Sequence, residues 1–232
     1  MILAGIVELF RYLSPIKNLR FLKFIILAVL VTGCSSPQTE EGNHRGLPLH
    51  KIGLGETVIT PDKNTMMYGF ARSQISTGVH DDLHARSIVI ESDDGTSVVM
   101  MTLSICTLER EYVERIRSVI NERTGIPETN ILISCNHTHA GPSVEKAGEQ
   151  YREFLVENAA LSAVEAWNSR VPARIGIGSV KTPEIGRNRR RLLYGGLHPD
   201  PEAGIIKIED LKGNLMGVAF NYGCHPSTLD WR

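Results

Sequence analysis

Two short apolar runs separated by an amphipathic segment constrain the fold of this chain more than any other feature. The runs SVVMMTL (97–103) and NILIS (130–134) have the length and composition of buried strands. Between them, the apolar residues from Val113 to Ile120 recur at helical spacing, and Gly125 follows where such a helix would end. A strand, a helix and a second strand in this order predict a parallel strand pair with a right-handed crossover.

The rest of the chain continues the alternation of strands and helices. RSIVIES (86–92) precedes the first of these runs, and the turn containing Asp94 and Gly95 predicts a hairpin between the two. We further predict a helix over 149–169, a strand over 173–180, and a second hairpin formed by 204–210 and 215–223. The predicted class is α/β, with mixed β-sheet layers flanked by helices.

Composition excludes little except a nucleic-acid partner. The chain has 232 residues, 42% of them hydrophobic, and a formal net charge of −1. Proteins that bind nucleic acid usually carry a strong excess of basic residues, and this chain does not. The basic run from Arg187 to Arg191 is typical of a solvated loop. The oligomeric state is not fixed by any of these patterns.

The N-terminus has the pattern of a bacterial export signal. Basic residues precede an apolar run from Phe24 to Val31, which is too short to span a bilayer as a helix. The ending VTGC places Cys34 where lipoproteins are lipidated, although a signal anchor could have a similar pattern. We therefore predict a lipoprotein signal peptide over 1–34, a polar tether over 35–50 and a domain over 51–232, anchored in the bacterial envelope at the outer membrane.

Two predicted strands end in histidine, which indicates a metal site. His137 and His139 follow the run NILIS directly, and in extended structure residues i and i+2 point to the same face. A second apolar run, 215–222, leads to His225. Ligands commonly bind at the carboxyl ends of strands in α/β sheets, and imidazole is a common zinc ligand. The two strand ends are expected to meet; their placement at opposite edges of the sheet would argue against a shared site.

Other polar residues have weaker patterns. In GVHDDLHARS, His80 and its neighbours are candidate ligands or substrate contacts, or simply a polar loop before a strand. Cys135 shares the alternation of His137 and is a further candidate ligand. Because they form no C-x-x-C pair, Cys106, Cys135 and Cys224 are interpreted as small buried residues near strand ends.

Several segments together resemble one enzyme family. VITPDKNTMMYGFA, GVHDDLHARSIVI, ERTGIPETNILISCNHTHAGP, RNRRRLLYGGLHPDPE and GVAFNYGCHPSTL occur in this order and resemble the N-terminal catalytic region of the neutral/alkaline non-lysosomal ceramidases. The resemblance implies a zinc-dependent amidase that cleaves the N-acyl bond of ceramide to a sphingoid base and a fatty acid. It implies zinc binding by His137 and His225, a catalytic role for His139, and an Asn188–Arg189 pair that contacts the substrate.

The resemblance also implies residues beyond those in this sequence. The family completes its zinc site with a Glu and a Tyr downstream of the position of His225. We therefore expect an incomplete, truncated N-terminal catalytic domain that has no activity by itself. The stretch SICTL (104–108) departs from the family, which often has an Asp there. Because of this departure, we expect the substrate to be either ceramide itself or a related lipid amide. The alternatives are a non-catalytic, ligand-binding surface lipoprotein and a zinc hydrolase of other amides or esters.

Overall fold

A computed structural model describes residues 50–62, 64–69, 74–186 and 199–225. These residues lie in one unit of the chain, Leu47–Arg232. A short 3-10 turn, Glu128–Asn130, precedes the fourth strand. The longer elements are β1 (His50–Val58), β2 (His84–Glu91), β3 (Ser97–Leu103), α1 (Arg110–Thr124), β4 (Ile131–Cys135), α2 (Glu149–Asn168), β5 (Val171–Lys181), β6 (Glu202–Asp210) and β7 (Leu215–Tyr222).

The described strands form one mixed sheet in the order β4-β3-β2-β1-β5-β6-β7. The predicted strand–helix–strand unit is confirmed, because β3 and β4 are parallel and α1 connects them. Both predicted hairpins are confirmed as the antiparallel pairs β2–β3 and β6–β7. Helix α1 ends at Gly125, which has a left-handed backbone (φ 75°) and donates its N–H to the carbonyl of Asn121.

The sequence analysis did not predict strand β1, because the strand contains two glycines. Gly53 and Gly55 weaken a strand pattern, but in the folded chain they let α2 approach the sheet closely. A methyl group on Gly53 would lie 1.7 Å from the carbonyl oxygen of Ala166, and one on Gly55 would lie 2.0 Å from that of Ser162. These residues are therefore glycine because helix backbone occupies the space of a side chain. β1 begins at His50, the residue at which the tether was predicted to end.

Both helices cover the same face of the β4–β1 part of the sheet. Alternate residues of β2 and β3, together with Ile131, pack against α1 and α2 in a fully buried core. The small residues of α2, Ala159, Ala163 and Ala166, face this core and have no exposed surface. The core also holds a hydrogen bond of 2.7 Å between the hydroxyl groups of Ser87 and Ser162. This layer fixes the positions at which β3 and β4 end.

Strands β5, β6 and β7 fold back over the other face of the sheet. Only three residue pairs join β1 to β5, all at the beginning of β1. A methyl group on Gly217 of β7 would lie 2.9 Å from Cδ1 of Leu54 in β1. In a flat sheet these two strands would be about 14 Å apart, since neighbouring strands are about 4.8 Å apart. The contact therefore requires a sharp bend after β1, and Ile52, Ala173 and Ile208 form a second core inside it.

Among the described residues, no helix has the length and apolar character needed to cross a membrane. The predicted signal peptide, the tether up to residue 49 and the lipidation residue Cys34 lie outside the described residues, as do Asn188 and Arg189.

Candidate functional site

The parallel pair β3–β4 places Cys106 beside His137. After the regular pairing ends, the N–H groups of Asn136 and His137 still donate to the carbonyls of Leu103 and Ile105, both at 3.1 Å. The Sγ atom of Cys106 lies 3.3 Å from Nδ1 of His137. The same Nδ1 lies 3.1 Å from the carbonyl oxygen of Cys106. Backbone and side-chain contacts thus hold this imidazole next to the thiol.

His137 and His139 come together through a loop and not through strand alternation. The prediction that an extended backbone aligns them is wrong, because His137 has a left-handed backbone with φ 62°. A side chain rarely adopts this conformation, which costs about 1–2 kcal/mol. Asn136 accepts a hydrogen bond from the N–H of Thr138 at 3.1 Å and so closes the turn. The two ring centroids are nevertheless 5.2 Å apart.

His139 is held against an early segment of the chain. The N–H of Tyr68 donates to the carbonyl of Gly141 at 3.1 Å, and that of Ser143 donates to Met66 at 2.7 Å. This pairing places Gly69 directly against the imidazole, since a methyl group there would lie 2.5 Å from Cγ and Nδ1 of His139. The backbone of Gly69 is also left-handed, with φ 92°. Glycine at this position therefore leaves room for the ring.

His225 reaches the same place from the opposite edge of the sheet. Among the described strands, β4 and β7 lie at the two edges of the sheet. The centroid of the His225 ring nevertheless lies 5.1 Å from that of His137 and 4.8 Å from that of His139. The expectation that opposite edges would exclude a shared site is wrong, because β5–β7 fold back and carry the end of β7 across the sheet. The hydroxyl of Tyr222 anchors that end by donating to the carbonyl of Thr182 at 3.0 Å.

Cys106 belongs to this cluster, and the sequence analysis missed it. One potential ligand atom from each of Cys106, His137 and His139 lies within 4.8 Å of the others. Its burial was predicted correctly, since only 2% of Cys106 is exposed. The sequence did contain a signal for the place of Cys106 in the site. Cys106 and His137 follow two strands that were predicted to be parallel neighbours, so both residues lie at the carboxyl ends of these strands, on the same edge of the sheet.

The other two described cysteines differ from each other in their surroundings. Cys135 lies in the last position of β4, and burial, together with the charges of Cys106 and Glu109, raises the pKa of its thiol to about 11. Burial also raises the pKa of the Cys106 thiol above its ordinary value. Cys224 is exposed, so the prediction of a buried residue is wrong there. The three described cysteines are free thiols.

The polar loop before β2 has structural contacts. His80 is almost fully exposed, and its Nδ1 lies 2.6 Å from a carboxylate oxygen of Asp81. Asp82 accepts a hydrogen bond of 2.8 Å from the hydroxyl of Thr60. Nε2 of His84 lies 3.5 Å from Glu56. These contacts account for the segment as a surface loop leading into a strand.

Comparisons with known proteins point to one family. Residues 50–203 match the family model described as neutral/alkaline non-lysosomal ceramidase, N-terminal. Neutral ceramidase 2 of Arabidopsis thaliana is 36% identical over 158 residues, which is 62% of this chain and 21% of that protein. The neutral ceramidase of Oryza sativa subsp. japonica is 26% identical over 186 residues, 74% of this chain and 23% of that protein.

A solved structure shares the fold. The crystal structure of neutral ceramidase from Pseudomonas aeruginosa superposes with a TM-score of 0.73 at 21% sequence identity, covering 80% of this chain and 33% of that one. This chain thus spans about a fifth to a third of the length of these relatives. Because the family model covers most of the described domain, the chain belongs to the neutral/alkaline non-lysosomal ceramidase family and contains part of its N-terminal region.

Proposed function

We propose that this chain carries the metal-binding part of a zinc-dependent hydrolase. The substrate is ceramide or a related lipid amide, and cleavage of its N-acyl bond gives a sphingoid base and a fatty acid. The observation that carries the proposal is the convergence of three imidazole rings, from two opposite strand ends, within 5.2 Å of one another. The reaction is the one that the name of the matched ceramidase family describes. We propose the cluster of His137, His139 and His225 as the place in this chain where it occurs.

The spacing of the rings fits a single metal ion. Zinc binds imidazole nitrogen at about 2.0–2.1 Å, so two rings on one tetrahedral ion have centroids about 5 Å apart. All three ring separations, from 4.8 to 5.2 Å, satisfy this condition. The resemblance seen in the sequence distinguishes among them, and on that ground we assign His137 and His225 as the metal ligands.

The backbone selects which nitrogen of His137 is available. Its Nδ1 lies 3.1 Å from the carbonyl oxygen of Cys106, and a hydrogen bond donated there leaves Nε2 without a proton. A ligand imidazole is commonly oriented in this way by a carbonyl behind it. We propose that Nε2 of His137 binds the metal for this reason.

His139 is proposed to act on the substrate. A catalytic metal site keeps one position open, so not every donor of the cluster binds the ion. When bound, zinc supplies Lewis acidity to the substrate carbonyl and to water. The His139 ring lies beside the other two rings and against Gly69. Its imidazole serves as the acid that protonates the departing amine nitrogen.

The proposal includes four further residues, of which Cys34, Asn188 and Arg189 lie outside the described part of the chain. Asn188, Arg189 and His80 are proposed substrate contacts, and Cys34 a lipid anchor that holds the protein at the outer membrane. An anchor of this kind would place the site near its lipid substrate, which is a physical reason for the two features to occur together.

Hydrolysis of ceramide by the native gene product tests the proposal. We expect release of sphingoid base and fatty acid, loss of that activity on removal of zinc with a chelator, and recovery on adding zinc back. His137→Ala should abolish hydrolysis, while Arg110→Ala, which alters an exposed residue of α1, should leave most of it. Turnover that persists after complete removal of metal would contradict the mechanism. Binding of ceramide without turnover would instead favour the non-catalytic alternative.

A further inference from the structure

We propose that Asn136 and Thr138 are positioning residues, each closing a turn that holds one histidine of the site in its working orientation. This inference rests on the proposed function, because it concerns the histidines assigned there to the metal and to the substrate. It adds the two other residues of the NHTH stretch (136–139), neither of which is assigned to the metal or to the substrate.

The NHTH stretch begins where the backbone pairing of β4 with β3 stops. A hydrogen bond of 3.1 Å from the N–H of His137 to the carbonyl of Ile105 ends this pairing. Beyond it, side chains take the place of a neighbouring strand. Oδ1 of Asn136 accepts from the N–H of Thr138 at 3.1 Å, and Oγ1 of Thr138 accepts from the N–H of Ala140 at 3.2 Å. Asparagine and threonine form such turns because their short polar side chains reach the backbone two residues on.

Each turn has a histidine at its corner. A side chain that accepts from the N–H two residues on encloses the residue between, which is His137 in the first turn and His139 in the second. The first turn holds the left-handed backbone of His137, φ 62°, which is unfavourable for a residue with a side chain and which a free loop would leave. With both corners fixed, the ring centroids lie 5.2 Å apart, whereas residues two apart in an extended strand are separated by about 7 Å.

The two accepting side chains are themselves held in place. The methyl group of Thr138 lies on the Gly141 side of the loop, since a Cβ atom on Gly141 would meet it at 3.5 Å. A branched side chain has few rotamers, so a methyl group placed there directs the hydroxyl group to one partner. The backbone of Asn136 is fixed by its own N–H, which donates to the carbonyl of Leu103 at 3.1 Å. The fold therefore sets both turns before any metal binds.

A role in the stability of the fold alone makes a different prediction from a positioning role. Both hydrogen bonds are exposed, so water can replace them and their loss should change the global stability little. The effect of their loss is local, because both histidines remain but their rings are no longer held at the spacing that a single metal ion requires. Removing a residue that orients a metal ligand commonly weakens metal binding by about tenfold or more.

Zinc affinity of the native gene product tests the turn around His137. Asn136→Leu keeps the size of the side chain and removes the acceptor, whereas Asn136→Ser keeps an oxygen that can accept from the same N–H. We expect Asn136→Leu to weaken zinc binding in calorimetry by about tenfold, and Asn136→Ser to recover most of that loss. The urea midpoints of both variants, measured without added zinc, should equal that of the parent.

Steady-state hydrolysis of ceramide by the native gene product tests the turn around His139. Thr138→Val replaces the hydroxyl group with a methyl group of similar size, and Thr138→Ser keeps the hydroxyl group. We expect Thr138→Val to lower kcat by about tenfold, because a misplaced acid protonates the departing amine less efficiently. KM, zinc affinity and the urea midpoint should stay at the values of the parent, and Thr138→Ser should recover most of kcat.

The outcomes separate this proposal from the proposed function. Parent-like zinc affinity in Asn136→Leu overturns the role of Asn136, and parent-like kcat in Thr138→Val overturns that of Thr138; either result leaves the proposed function standing. Equal losses in Asn136→Leu and Asn136→Ser, or a lowered urea midpoint, also overturn the proposal, because loss of the acceptor would then not be the cause. If the parent binds zinc but does not hydrolyse ceramide, the proposed function fails, and the zinc affinities of the Asn136 variants still decide the positioning role.

Discussion

Replacing Gly69 with alanine should disable the site while leaving the fold intact. The added methyl group would lie 2.5 Å from Cγ and Nδ1 of His139 and 2.8 Å from Cδ2. Carbon atoms in contact are separated by about 3.5 Å, so the ring has to retreat by about 1 Å. A displacement of this size at a catalytic group lowers the rate by about a hundredfold. We therefore expect Gly69→Ala to lower kcat/KM for the lipid amide by about that factor.

Gly95→Ala is the matched control for this change. Gly95 also has a left-handed backbone, φ 82° against 92° at Gly69, but a methyl group there meets nothing within 4 Å. Both substitutions should cost about 1–2 kcal/mol in the free energy of unfolding, because both force alanine into the left-handed region. Urea unfolding measures this shared cost, and steady-state hydrolysis by the native gene product measures the difference. Equal activity of the two variants would refute the argument that His139 acts on the substrate.

Three further predictions concern the fold, pH and location. Gly53→Ala should lower the free energy of unfolding by about 3 kcal/mol or more, because the methyl group would lie 1.7 Å from a backbone oxygen of α2. In the control, Gly178→Ala in β5, the methyl group meets nothing within 4 Å, so the free energy of unfolding should change by less than about 1 kcal/mol. Similar urea midpoints for the two variants would contradict the close packing of α2 on β1. Tyr151→Phe removes a hydrogen bond of 2.9 Å to the carbonyl of Ile59 and should cost about 1 kcal/mol at neutral pH. Burial raises the pKa of Tyr151 above its ordinary value, so above about pH 10 the phenol ionises first in the unfolded chain and the parent loses stability. The difference in free energy of unfolding between the parent and Tyr151→Phe should therefore narrow above this pH. A difference that stays constant with pH would argue against burial of the phenol. Cys34→Ala should release the protein from the membrane fraction, and unchanged retention would exclude lipidation at that residue.

The elements that depend on local pattern could be predicted from the sequence. The strand–helix–strand unit ending at Cys135, and the hairpins on either side of it, follow from the spacing of apolar residues and from turn residues such as Gly95 and Gly213. Strand β1 could not, because its glycines reflect the close approach of α2, which is a contact between segments more than a hundred residues apart. Local sequence carries no signal for such a contact.

The site was predictable in its residues but not in its construction. His137, His139 and His225 stand out because they follow apolar strands, and the structure does bring their rings together. The sequence gives no hint that β7 folds back over β1, since the bend depends on where the short β1–β5 pairing stops. The left-handed backbone of His137 was equally hidden, because it results from the pairing of its loop with the end of β3.

Zinc affinity measured by calorimetry tests the central claim most directly, namely that two opposite edges of one sheet supply ligands to a single metal ion. His137→Ala removes the ligand at the end of β4, His225→Ala removes the one at the end of β7, and His80→Ala is the control at an exposed histidine. In the native gene product we predict one high-affinity site per molecule, weakened at least about a hundredfold by either of the first two substitutions and unchanged by the control. Parent-like affinity in His225→Ala would contradict the account, because the two strand ends would then not share a metal.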